Sequence, residues 1–386
     1  MNILFIHQNF PGQFKNLAPA LASSGHNVIA LTLKDIPDTL WNGVNVRSYK
    51  VSRSTSTNIH PWLTDFETKV IRGEGCLNAF INLKEQNFYP DVVIAHHGWG
   101  ESLFVKDIWP KTKIGIYCEF FYRAAGADVG FDPEFDAKDG GDHYGVHLKN
   151  AAMLLQAEQA DGAISPTVWQ ASTYPKHLRE KITVIHEGID TKVVAPNSES
   201  QFRLPSGKVV TQSDQIITFV TRSLEPHRGF HIFMRSLRKI LIAKPKVEVL
   251  MLGADEVSYG QPPSAGGTWR DILSMEVLPT LSPEQKSRVH FLGKIPYDQY
   301  LTMLQISNVH VYLTYPFVLS WSLLEAMSVG CAVVASDTPP LHEAITHNIT
   351  GRLVNFFSHE ELGAEVIHRT ESSLRKKISA LPNGSY

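Results

Sequence analysis

A chain of 386 residues with 43 % apolar and 19 % charged residues is longer than one core usually serves, so two globular units are expected. Its net charge of −2 argues against a general nucleic-acid surface, and three scattered cysteines, Cys76, Cys118 and Cys331, argue against a disulfide scaffold or a cysteine metal site. The opening MNILFIHQNF reads as a core strand rather than a leader, and no run approaches a membrane span, so a cytoplasmic protein is expected, with peripheral contact at the inner face of a membrane left open.

Residues 3–6 are a buried-strand run, followed by the loop His7-Gln8-Asn9-Phe10-Pro11-Gly12. Phe14, Leu17 and Leu21 at helical spacing predict a helix that stops at Gly25, and 26–31 is the next strand. This β-loop-α-β opening suits nucleotide-binding folds, but GxGxxG is absent and no dinucleotide site is expected. Gly12 marks either a sharp turn or a close approach of backbone to ligand. A short strand is expected within 40–52, a helix over 62–84, and a strand over 91–95 that runs into His96-His97-Gly98. Adjacent residues on an extended chain point apart and no third ligand has a defined spacing, so His96 and His97 are expected to touch an acceptor rather than a metal, with a plain histidine-rich turn as the alternative.

The strand 113–118 ends at Glu119, for which an ion pair with Arg123 is the simplest structural role. An acidic insert over 124–147 holds Asp128, Asp132, Glu134, Asp136, Asp139 and Asp142 without EF-hand spacing, and reads as a flexible loop, solvated or folding over an acceptor. A helix over 150–160 and strands over 161–164 and 181–185 complete a first domain, 1–195. The polar stretch 196–214 reads as an interdomain link, and the alternating pattern restarts in a second domain, 215–386. Strands are expected there at 216–220, 247–252, 289–293, 309–313, 332–335 and 351–354. Between them lie helices, one carrying Phe230, Phe233, Leu237, Ile240 and Leu241, one over 297–306, and one over 320–329 ending at Gly330. Strands alternating with helices give a parallel sheet, whose ligands sit at the carboxyl ends of the strands. The loop 314–319 lies at such an end and offers free N–H groups beside a helix N-terminus, an anion site. Glu325, further along that helix, is placed to accept bonds from two ribose hydroxyls, or to close a Ser322-x-x-Glu325 capping box.

The run Leu323-Leu324-Glu325-Ala326-Met327, then Gly330 and Val333-Val334-Ala335-Ser336-Asp337, resembles the donor-site signature of the family-four (group 1) retaining glycosyltransferases of the GT-B fold. The resemblance implies two Rossmann-like, doubly wound α/β domains facing across a cleft. It implies a metal-independent retaining transfer from a nucleotide-diphosphate sugar, the donor substrate, with UDP or GDP as carrier and no further cofactor. Arg222 and Arg228 match the family's Arg and Lys that grip the donor diphosphate, with Arg in the Lys position. Gly293, Lys294 and Ile295 match the base-binding turn, Glu325 the ribose contact, and Gly12 the loop facing the phosphates. Phe317 stands where the family has a first Glu that approaches the donor sugar, so sugar contacts are expected from the N–H groups of Val318, Leu319 and Ser320. Glu119 stands near the place of a family His close to the reacting carbon, suited to orienting a hydroxyl or stabilising an oxocarbenium-like transition state. The first domain, with His96 and His97, is then the side of a glycan, lipid-linked or small-molecule acceptor. The family's closing helix is expected to be short or missing. A non-catalytic nucleotide- or glycan-binding subunit and a GT-B sugar-nucleotide epimerase remain the alternatives, and the oligomeric state is left open.

Overall fold

The computed structural model describes residues 1–135 and 141–371. The chain divides into two compact units, Met1–Gly188 and Ile189–Tyr386.

The first unit is built on eight strands: β1 (Asn2–Ile6), β2 (Asn27–Thr32), β3 (Thr39–Trp41), β4 (Val44–Ser48), β5 (Val92–His96), β6 (Lys113–Tyr117), β7 (Gly162–Ser165) and β8 (Ile182–Val184). Their order is β3-β4-β2-β1-β5-β6-β7-β8. Only β3 is antiparallel to its neighbour. Side chains alternate across the sheet, and both faces are apolar because helices cover both. Leu4, Ile6, Ile29, Leu31, Val93 and Ala95 pack on one side with Phe80 and Leu83 of the helix Thr64–Glu85. Ile3, Phe5, Val28 and Ala30 pack on the other with Phe10, Phe14 and Ala18. The helix expected after Phe14 begins as a single 3-10 turn, Gly12–Phe14, and continues as Leu17–Ser23.

The second unit holds a two-stranded hairpin, β9 (Gln201–Arg203) and β10 (Val209–Thr211). Its six-stranded parallel sheet contains β11 (Ile216–Ser223), β12 (Glu248–Ala254), β13 (Val289–Gly293), β14 (Val309–Tyr312), β15 (Ala332–Ser336) and β16 (Arg352–Val354). The order is β13-β12-β11-β14-β15-β16. The stretch expected as a polar link, 196–214, carries the hairpin: Phe202, Leu204 and Val210 are buried with Ile216, Tyr300 and Leu304. Its polar residues had hidden an alternation that seats every second side chain in this core.

The acidic insert is not wholly a solvated loop. The helix Gly141–Lys149 takes up its end, and Asp132 is buried, accepting the Glu134 N–H at 3.0 Å. Asp136 and Asp139, the side chain of Asp142, and residues 372–379 of the expected closing helices lie outside the described residues. Among the described residues no helix is long and apolar enough to cross a membrane.

Candidate functional site

In each unit the strand order reverses once. In the first sheet the reversal falls between β1 and β5, in the second between β11 and β14. The loops that leave the carboxyl ends of such a strand pair run to opposite faces and leave a crevice between them. The polar groups of both units collect at these ends.

In the first unit His7 follows β1, His96 ends β5 and Glu119 follows β6. Gln13 joins them: its Nε2 donates to Glu119 Oε1 at 2.8 Å, and its Oε1 lies 2.8 Å from His7 Nε2. His96 Nε2 stands 3.4 Å from Glu119 Oε2. Nδ1 of His7 accepts the Asn9 N–H at 2.9 Å, and Nδ1 of His96 accepts the Gly98 N–H at 3.2 Å. With that lone pair engaged, Nε2 is the nitrogen that carries the ring proton and turns a donor toward Gln13 or Glu119. His186, after β8, makes the same turn onto the Gly188 N–H at 2.9 Å. Burial, then the neighbouring His96, lowers the His7 pKa to about 3, so His7 is neutral. Burial pushes the Glu119 carboxyl up, but hydrogen bonding and charge from His96 and the bond from Gln13 outweigh it and hold the pKa below its usual value. Its side chain remains 30 % exposed. An ionised carboxylate, aimed by His96 and Gln13 and reachable from solvent, results.

The Arg123 pairing does not form: Arg123 donates to the carbonyls of Ser172 and Thr173 instead. Gly12 has a left-handed φ of +45°, and a Cβ there would lie 2.6 Å from the His7 ring, so the sharp turn over His7 by itself requires glycine. His97 is corrected to an interior residue. It is buried, its Nδ1 lies 3.0 Å from the Tyr117 carbonyl and its Nε2 3.3 Å from the Tyr174 hydroxyl, so both ring nitrogens are engaged in the interior. Of the histidine pair, only His96 reaches the polar group, because alternate residues of β5 and its end point to opposite sides.

In the second unit Arg222 lies exposed on β11, and Arg228 is buried on the 3-10 turn Pro226–Arg228. Arg228 is 5 % exposed. Its Nη1 donates to Thr314 Oγ1 at 2.7 Å and the Val318 carbonyl at 3.0 Å, with the Tyr312 hydroxyl at 3.5 Å. Its guanidinium stacks over Tyr259 at 5.0 Å and Phe317 at 5.6 Å. Among the described residues its bonded partners are all neutral. Glu225, fully buried, accepts the N–H groups of Ser258, Tyr259 and Gly260 at 3.1–3.3 Å, which fixes the Tyr259 loop over Arg228. Phe317 is buried edge-on to His227 at 4.7 Å and beside Tyr259 at 5.0 Å, a wall of the same basket.

Of the three amides expected to face the sugar, Ser320 is corrected: its N–H donates to the Tyr312 hydroxyl at 2.8 Å. No partner binds the N–H groups of Val318 and Leu319 among the described residues. Ser320 caps the helix Trp321–Ser328, its Oγ accepting from the Ser322 N–H at 3.3 Å. A capping box at Ser322 is therefore absent, and Glu325 has another role. Its Oε1 accepts from the Tyr297 hydroxyl at 2.8 Å and its Oε2 from the Tyr300 hydroxyl at 2.6 Å. Gly293 ends β13 with φ +63°, Lys294 pairs with Glu256 at 3.0 Å on the surface, and Ile295 packs against the second unit's core.

Sequence reading had assigned no role to His7, Gln13, Glu225, Tyr259, Tyr297 and Tyr300. One signal was available: Tyr297-x-x-Tyr300 places two hydroxyls on one face of a helix shortly after the turn at Gly293.

Residues 24–194 match the sequence model described as glycosyl transferase family 4 group, and residues 205–380 match glycosyl transferases group 1. A D-inositol 3-phosphate glycosyltransferase of Segniliparus rotundus is 24 % identical over 187 residues, which is 48 % of this chain and 38 % of that enzyme. The chain thus aligns with well under half of that relative's length. The sucrose-phosphate synthase of Thermosynechococcus elongatus superposes with a TM-score of 0.67 at 16 % identity, over 99 % of this chain and 94 % of that one. HepE of Anabaena, solved with UDP and glucose, gives 0.63 at 15 % identity, over 98 % and 93 %. With the two family models matched in sequence order and the fold shared across both units, the chain belongs to the group 1 glycosyltransferases of the GT-B fold.

Proposed function

We propose that the protein transfers a sugar, with retention of configuration, from a nucleotide-diphosphate sugar to a glycan, lipid-linked or small-molecule acceptor. The observation that carries this reading is Arg228. Its guanidinium is held in the interior and bonded to neutral groups, and the Tyr312 and Tyr259 phenols and the nearby Glu225 outweigh burial and keep it charged, a fixed cation suited to an entering diphosphate. The amides of Val318 and Leu319 and the N-terminus of the helix Trp321–Ser328 supply further positive potential, and Arg222 an exposed one. These groups are suited to stabilising the charge that builds on the leaving diphosphate, the task a metal performs elsewhere. Glu325 is suited to the ribose, and the turn at Gly293, Lys294 and Ile295 to the base. In the first unit Glu119 is the ionised group suited to orienting a sugar hydroxyl. HepE was solved with UDP-glucose, which makes UDP-sugars the first donors to try. Action on a lipid-linked acceptor at the cytoplasmic face of a membrane belongs to the same proposal.

The test is nucleotide release by the purified chain from UDP-, GDP- and ADP-sugars, with and without mixed acceptors. Release from one donor that depends on acceptor and falls at least tenfold in Arg228→Ala supports transfer. A second reading, a nucleotide-binding subunit without turnover, is favoured by Phe317 at the place of a sugar-binding carboxylate. Tight binding of a nucleoside diphosphate without release from any donor would establish that reading instead.

A further inference from the structure

Glu325 is 5 % exposed and both of its oxygens already hold a phenol donor. The two donors differ in freedom. Tyr300 is buried in the core formed with Met303, Leu304 and Ala326, and cannot leave without opening that core. Tyr297 is 50 % exposed, the first residue of the helix Tyr297–Ile306; its ring leans on the Tyr300 ring at 5.6 Å and its hydroxyl reaches Oε1. A diol approaching Glu325 therefore meets one fixed donor and one that can swing into solvent.

We propose that Tyr297 is a displaceable stand-in for a ribose hydroxyl: it closes Glu325 in the free protein and yields Oε1 to the sugar when a nucleotide binds. This rests on the reading of Glu325 as the ribose contact given above. The exchange conserves the number of hydrogen bonds to the carboxylate, which a buried charge requires. It also makes Tyr297 a specificity residue. A ribose that returns a hydroxyl to Oε1 replaces the phenol, whereas an analogue lacking that hydroxyl leaves the carboxylate one donor short or leaves Tyr297 in place. The tyrosine thus sets a threshold that ribonucleotides pass and deoxy analogues do not.

Removing the phenol oxygen inverts the usual effect of losing a hydrogen bond. In Tyr297→Phe, Oε1 has no donor before binding, so a ribose hydroxyl adds a bond to a charged acceptor without exchanging one. Affinity should rise about tenfold, the equivalent of one such bond. Calorimetric titration with whichever of UDP, GDP and ADP binds tightest, and with its 2′-deoxy and 3′-deoxy forms, tests this on the full chain and on Tyr297→Phe. The expected result is a tenfold gain for the ribonucleotide and less than a twofold change for the analogue lacking the hydroxyl that faces Oε1. Equal gains for all three ligands would overturn the inference, since the ring would merely block the entrance. A weaker ribonucleotide in Tyr297→Phe would also overturn it, since the hydroxyl would be a ligand contact. Glu325→Gln separates the two levels. If nucleotide binds and Glu325→Gln leaves its affinity unchanged, or if no nucleotide binds, the ribose reading itself fails and this inference falls with it.

Discussion

Replacing Arg228 with Met separates the stability of the second unit from its function. The substitution removes a buried cation and keeps an unbranched, polarisable side chain that fits between the Tyr259 and Phe317 rings. Thr314 Oγ1 and the Val318 carbonyl lose a donor, at about 1 kcal/mol each. Against this stands the relief of the guanidinium's burial, which the Tyr312 and Tyr259 phenols and the nearby Glu225 already offset in the parent, so the removal recovers only part of that loss. The folded unit should lose little, with Tm within about 4 °C of the parent. Ligand binding should suffer more. Loss of the charged contact costs about 2 kcal/mol of nucleoside diphosphate affinity, roughly 30-fold. The corresponding nucleoside, which carries no phosphate, should bind both proteins alike. Thermal melts and calorimetric titration with the diphosphate and the nucleoside measure the two halves. An equal loss for both ligands, or a Tm lower by about 10 °C, would refute the argument: Arg228 would then be a structural cation and not an anion site.

Glu101 is fully buried and accepts the Tyr49 hydroxyl at 2.5 Å, and burial pushes its carboxyl up to about 7. A raised carboxyl pKa means the folded state holds its proton between about 4.5 and 7 while the unfolded chain releases it, so stability falls as pH rises through that window, by up to about 1.4 kcal/mol per unit. Melts of the parent should decline from pH 5 to 7, and Glu101→Gln should flatten the slope; a parallel slope in the variant would exclude Glu101 as its source. Gln13→Leu removes a donor from Glu119, so the acid limb of the kcat/KM profile should move to higher pH with little change in KM. An unmoved limb would remove Glu119 from the reaction. Glu225→Gln weakens the acceptor of three backbone N–H groups, and hydrogen exchange at Ser258, Tyr259 and Gly260 should speed at least tenfold ahead of the rest of the unit.

Most strands were legible because a sheet covered on both faces leaves continuous apolar runs, such as 3–6, 309–313 and 332–335. The hairpin Gln201–Arg203 with Val209–Thr211 was not, because only one face of it is buried and its turn and outer residues are polar. Among the candidate site residues, Glu325 stands out by its local motif, and the loop after β14 by its place at a strand end. Their partners do not. Tyr297 and Tyr300 stand 28 and 25 residues from Glu325, and Gln13 stands 106 from Glu119, so only the sheet topology brings them together. His97 shows the opposite failure. Its residue type suggested chemistry, while the alternation of side chains about β5 sends it into the interior.

The turn made by His7, His96 and His186 divides each imidazole between two tasks. One nitrogen's lone pair belongs to the backbone two residues on, and the other nitrogen is left as a donor of fixed polarity. To take a proton from a ligand at Nε2, such a ring must first move its own proton to Nδ1 and break the turn that shapes the loop. Base chemistry at these strand ends is therefore tied to loop rearrangement, whereas hydrogen-bond donation costs nothing. An asparagine, whose side-chain oxygen caps the same backbone N–H, would keep the loop and withdraw only the outward donor. The scaffolding half of each histidine and its outward half are thus separable by a single substitution.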